Sequence, residues 1–137
     1  MTDENISVNP ARLAVLILTR RAEGRVTEVA GLNATAPVDQ SGYHESLTAT
    51  AAWSSATVTT TVAKEYLFSW AATEAGNPGC SGAASGWTIE SQTNDASGAT
   101  VCVADRIVSA TGSYQASVTA SVAQNYAMSI VAFKGGP

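Results

Sequence analysis

The chain has 137 residues, a net charge of −4 and a charged fraction of only 13%, about half that of an ordinary soluble domain. That length suits one domain with a real core, and an acidic balance without a basic patch excludes a nucleic-acid binder. No run approaches the ~18 apolar residues of a transmembrane helix, so no membrane span is expected. Lys64 and Lys134 are the only lysines, which leaves Ser, Thr, Ala and Gly to cover the surface. Such a surface suits a secreted or virion protein packed against copies of itself. Cys80 and Cys102 are the only cysteines, and in a Ser/Thr-rich chain the pair predicts a disulfide and an oxidising location.

In chain order, residues 1–9 are polar and read as an arm. The opening Met-Thr-Asp-Glu is acidic, unlike a secretory signal, so a different gene start or another export route, such as cell lysis, is expected. Leu13, Ala14, Val15, Leu16, Ile17 and Leu18 then form an unbroken apolar run. A helix is one reading, with Asn9 as N-cap, Pro10 in the first turn and Gly24 as the stop. The favoured reading is a strand buried on both faces, because nothing else in the chain is helical in pattern. Residues 25–29 (RVTEV) alternate as a strand, and residues 36–42 read as a loop with Pro and Gly punctuation. Residues 45–53 are a weak strand, residues 56–62 (ATVTTTV) a strong β-branched one, and residues 66–72 (YLFSWAA) a core strand.

Residues 73–86 form the longest loop, rich in glycine, which a Cys80–Cys102 bridge would pin. Residues 87–92 (WTIESQ) alternate. The last third reads as three strands, residues 99–108, 113–122 and 125–134, with turns at 110–112 and 123–125. The last of these is apolar on both faces and is expected to lie centrally. The total is eight or nine short strands at spacings of about ten residues, the pattern of an all-β antiparallel sandwich or jelly roll. The division is an N-terminal arm, residues 1–24, and a β-sandwich domain, residues 25–137.

No constellation for catalysis stands out, and an enzyme is not expected. His44 has no second histidine to share a metal. Residues 82–86 (GAASG) miss the nucleophile-elbow spacing by one place. Asp95, Asp105, Glu74 and Glu90 have no spacing that selects a calcium site, so no metal or cofactor is expected. Trp70 sits in the most apolar strand and reads as core; Trp53 and Trp87 fall near strand ends, where core or hairpin packing is the favoured reading and a sugar platform the alternative. Asn5 and Asn33 lie in N-x-[ST] triplets and are candidate glycan acceptors.

From Ala30 onward the order of short pieces carries a resemblance: GLNATAPVD at 31–39, VTTTVAKEYLF at 58–68, GWT at 86–88, VSATGSY at 108–114 and IVAFK at 130–134. Together they resemble a β-sandwich domain of large secreted bacterial surface proteins and phage structural proteins. The resemblance implies a structural role without catalysis. The front departs from it, since only two candidate strands precede Gly31. A sandwich short of a strand leaves an edge that a neighbour can fill by donating one. Residues 13–18 are the candidate donor, with Leu13, Val15 and Ile17 on one face and Leu16 and Leu18 on the other, though pairing within their own domain is an equal alternative. Repeated head-to-tail, such donation grows a filament, a logic that resembles extracellular fibrils whose jelly-roll subunits each lend an N-terminal strand to the next. The expectation is therefore an extracellular structural subunit whose partners are copies of itself. A phage virion decoration or fibre protein and a carbohydrate-binding module are the alternatives.

Overall fold

The computed structural model describes residues 12–18, 24–74, 78–94 and 98–137, with main-chain description alone for 12–18 and 24–28. Asn5, Asn9, Pro10, Asn77 and Asp95 lie outside the described residues. Every regular element described is a strand: β1 (Arg12–Leu18), β2 (Gly24–Ala30), β3 (Val38–Ser54), β4 (Val58–Thr59), β5 (Glu65–Thr73), β6 (Cys80–Ser81), β7 (Thr88–Asn94), β8 (Thr100–Val108), β9 (Ser113–Tyr114) and β10 (Ser117–Lys134). All the ladders are antiparallel.

The main sheet runs β3-β10-β5-β8-β7. Its middle is made of the sequences with least polarity, and the last strand, apolar on both sides, lies between β3 and β5 as its pattern requires. Alternation splits the central strands into two buried sets. Leu67 and Ala71 of β5, Cys102 and Ala104 of β8, and Met128, Ile130 and Ala132 of β10 face one core. Phe68 of β5, Val101 and Val103 of β8, and Phe133 of β10 face another.

The first core is closed by the chain's own second tier. β10 pairs β3 in two stretches separated by bulges, residues 117–119 against 52–54 and residues 126–133 against 38–46. Only the later stretch of β10 pairs β5; the earlier one pairs β6 instead. Trp53, Ala116, Val118 and Ala120 from that earlier region pack onto Leu67, Ala71 and Ile130, together with Val58 beside the small β4–β9 ladder. Trp53 is fully buried, stacked on Tyr126 at 5.4 Å, and its indole N–H donates to the Thr50 carbonyl at 2.9 Å.

Several sequence expectations are corrected here. Residues 38–42 are not loop but the first part of β3, because β10 supplies their ladder partners and Gly42 fits closely beneath Ala56 and Val58. Of residues 56–62 only Val58 and Thr59 pair as strand. The turn expected at 123–125 is a bulged continuation of β10, with Gln124 opposite Thr50. A stretch without Gly or Pro can bend through a bulge without ending the strand.

Candidate assembly site

The second buried face is built on a row of aromatic rings. In β5 the aromatic residues fall at every other position, so Tyr66, Phe68 and Trp70 share one side. With Phe133 of β10 they form a row, with centroids 6.4 Å apart for Phe133–Tyr66, 6.4 Å for Tyr66–Phe68 and 5.9 Å for Phe68–Trp70. Val101 and Val103 flank it. The Tyr66 hydroxyl donates to Asp105 Oδ2 at 2.9 Å, and burial followed by that carboxylate pushes the phenol well above its ordinary pKa. Ile107, opposite Tyr66 in the ladder and so on the same face, is 83% exposed. The face is therefore buried over most of its centre and open at Ile107 beside Tyr66, while Trp70 at the far end of the row and Val131 opposite Phe68 are half-buried.

Against this face pack Val29, near the end of β2, and Leu32 just beyond it. The hairpin β1–β2 thus springs from the aromatic side of the sheet. Its ladder runs from Arg12 opposite Ala30 to Leu18 opposite Gly24, which resolves residues 13–18 as strand rather than helix. Within the chain, the ladder partner of Leu13, Ala14, Val15, Leu16, Ile17 and Leu18 is β2, and the hairpin is a sheet of its own, hydrogen-bonded to none of the other described strands. Residues 25–29, which the sequence division placed with the sandwich domain, belong to this hairpin.

The root of the hairpin is stitched to the C-terminal strap. The Asn33 N–H donates to the Lys134 carbonyl at 2.9 Å, Lys134 N–H to Pro37 O at 2.7 Å, Gly135 N–H to Lys64 O at 2.8 Å and Gly136 N–H to Gly31 O at 2.8 Å. Gly31 has a φ of 79°, the left-handed turn that lets the chain leave β2 for the strap. Beneath the strap lie two carboxyl groups. Asp39 Oδ2 accepts from Thr61 N–H at 2.7 Å, its Oδ1 accepts from the Thr61 hydroxyl, and Lys134 Nζ stands 3.8 Å from Oδ1. Burial alone would raise Asp39, but the Thr61 bonds, Glu65 and Lys134 hold it below its ordinary value. Glu65 is 2% exposed; its Oε1 accepts from Val62 N–H at 3.3 Å, and its buried Oε2 has no partner as an ionised group. Burial first, then the adjacent Asp39, pushes the Glu65 carboxyl up to about 7, against the opposing Val62 N–H and Lys134.

Other residues singled out in the sequence are placed as follows. Cys80 and Cys102 form the disulfide, with Cα atoms 6.3 Å apart, tying β6 of the upper tier to β8 of the main sheet. Trp53 and Trp87 are both core residues, the packing reading favoured for them in the sequence, so the alternative of a sugar platform falls away. They mark strand ends in sequence, but both belong to the first core. Trp70, read as core, is the more open of the three tryptophans. Asn33 closes a local turn, its Oδ1 accepting from Thr35 and Ala36 N–H at 3.0 Å each. His44 is exposed, with Nδ1 3.0 Å from Ser54 O and 3.2 Å from the Tyr126 hydroxyl. No group of three or more His, Cys, Asp or Glu side chains that could hold a metal occurs among the described residues, and none of their helices is long and apolar enough to cross a membrane.

No family model matches the chain, and no match is found among curated proteins or solved structures. The aromatic row and the Asp39–Glu65 pair were missed in the sequence. The period-two spacing of Tyr66, Phe68 and Trp70 was the available signal for the first. The second joins residues far apart in the chain and had none.

Proposed function

We propose that this chain is a structural subunit that assembles with copies of itself by lending its N-terminal hairpin to a neighbour. On this reading the two tiers are an antiparallel β-sandwich of the jelly-roll type, and the β1–β2 hairpin covers the aromatic face of the next subunit. The carrying observation is that the central strands are apolar on both faces, whereas the hairpin shares no ladder with them. An element that shares no ladder with the rest of its chain is the kind that exchanges between identical protomers, because every contact it leaves is recreated in the partner. Donation from each copy to the next is head-to-tail and continues as a filament unless the rotation closes a ring. The disulfide and the lysine-poor, small-residue surface fit an extracellular setting for such a filament.

The test is microscopy of purified protein beside a Val15→Asp variant. Val15 sits mid-strand, opposite Thr27. A carboxylate there would have to be buried unpaired whenever the hairpin is received by a neighbour. Filaments or rings from the native chain and monomers from the variant are expected. Assemblies unchanged by Val15→Asp would refute the role of the hairpin.

A further inference from the structure

We propose that Asp39 and Glu65 form a single-proton latch on the root of the hairpin, closed when one proton is held between the two carboxyl groups and released when it is lost. This deepens the hairpin-exchange reading and rests on it for its purpose, but the latch has its own chemistry. The geometry places the pair where the three strand ends meet: Asp39 is the second residue of β3, Glu65 opens β5 and Lys134 closes β10.

The charged groups facing Glu65 are few. From β3 there is Asp39, and from β10 Lys134; β8 presents Val108 opposite Glu65, which does not titrate. Lys64 is the neighbour along the chain, and its carbonyl holds Gly135. Protonation lets the Glu65 carboxyl donate to its Asp39 neighbour, which relieves the unpartnered buried Oε2 and leaves Asp39 and Lys134 balanced in charge. With Glu65 ionised, two buried carboxylates share one ammonium, and Oε2 has no partner. Like charges that close cannot both stay desolvated, so one must move towards water. Either movement disturbs a hydrogen bond of the root. Glu65 carries the 62–65 turn and hence the Lys64 carbonyl that receives Gly135. Asp39 holds the side chain of Lys134, whose main chain binds both residues 33 and 37. The strap and residues 31–37 therefore loosen together, and the hairpin that they anchor becomes free to exchange.

The test compares amide hydrogen-exchange protection, corrected for intrinsic rate, at Asn33, Lys134, Gly135 and Gly136 at about pH 5.5 and about pH 8. With a Glu65 carboxyl at about 7 when closed and 4.5 when released, linkage predicts a fall in protection of up to roughly thirtyfold across that interval in the native chain. The isosteric Glu65→Gln variant, whose amide donates to Asp39 at any pH, is expected to show none. Equal protection at both pH values in the native chain overturns the latch, as does the same fall in Glu65→Gln. Should Glu65→Gln fail to fold, Asp39→Asn and a carboxyl-carbon NMR titration of Glu65 in the native chain take its place. A Glu65 carboxyl titrating as an ordinary exposed one then overturns the proposal. Subunit mixing between two fluorescently labelled populations separates the two ideas. A pH-dependent fall in protection without any mixing supports the latch and overturns hairpin exchange.

Discussion

At the scale of single residues, Glu65 carries the clearest stability prediction. Its folded-state pKa of about 7 lies above its ordinary value of 4.5, so the folded chain holds the proton more tightly than the unfolded chain. The stabilisation is complete below the unfolded value and is lost as pH rises through the folded one. The difference corresponds to at most about 3 kcal/mol. Denaturant titrations should therefore show the native chain losing stability between mildly acidic and mildly alkaline pH, while Glu65→Gln stays flat over the same range. A second residue prediction concerns Gly42. A methyl group there would come within 2.9 Å of the Ala56 methyl carbon and 3.3 Å of Val58 Cγ1. Gly42→Ala is expected to cost about 1–3 kcal/mol through overpacking, measured as a lowered denaturation midpoint. An unchanged midpoint would mean that the 56–58 segment yields at no cost.

At the scale of elements, the disulfide and the tiers decide most of the argument. The Cys80–Cys102 bridge joins two residues 22 apart in sequence, one in the upper tier and one in the sheet. Closing a loop of that size is worth about 3 kcal/mol in the chain-entropy model. The Cys80→Ala/Cys102→Ala double variant should lose about that much. It should also lose exchange protection first at the Ser121 N–H, which donates to the Gly79 carbonyl. Elements were legible in sequence where one local pattern sufficed. The apolar character of residues 66–72, that of both faces of residues 126–133 and the strand ends around Gly112 could be read from neighbours alone. What failed depended on distant partners. Residues 38–42 look like loop until β10 is beside them, and residues 123–125 look like a turn until Thr50 is found opposite Gln124. Trp53 and Trp87 were legible as packing residues, but which residues cover them depends on distant partners, and no local pattern encodes that. Residues 13–18 showed a buried-strand pattern without naming their partner. The structure supplies one in β2, yet the apolar character of the run exceeds what a two-stranded ribbon needs, since isolated hairpins are marginal in water.

At the scale of the whole molecule, the question is how a donated hairpin would join subunits, and two complementary variants distinguish the modes. Val15→Asp spoils the hairpin as a donor and leaves the aromatic face intact as a receiver. Trp70→Asp does the reverse, placing a charge on the half-buried end of the aromatic row while leaving β1–β2 unchanged. Each alone should remain monomeric, because every junction in a homopolymer needs one good donor and one good receiver. Mixed, the Trp70→Asp hairpin can enter the Val15→Asp face. The resulting pair then has a spoiled donor at one end and a spoiled receiver at the other, so growth stops at the heterodimer. Light scattering of the equimolar mixture should therefore give twice the subunit mass and nothing larger, with no fibres in the microscope. A reciprocal swap behaves differently, since both junctions lie within one closed dimer. Native chains would then stop at dimers, and the mixed pair would hold only one of its two contacts and dissociate more readily than the native dimer. Long polymers from native protein together with heterodimers from the mixture identify head-to-tail donation, while monomers in every sample remove the hairpin from any role in assembly.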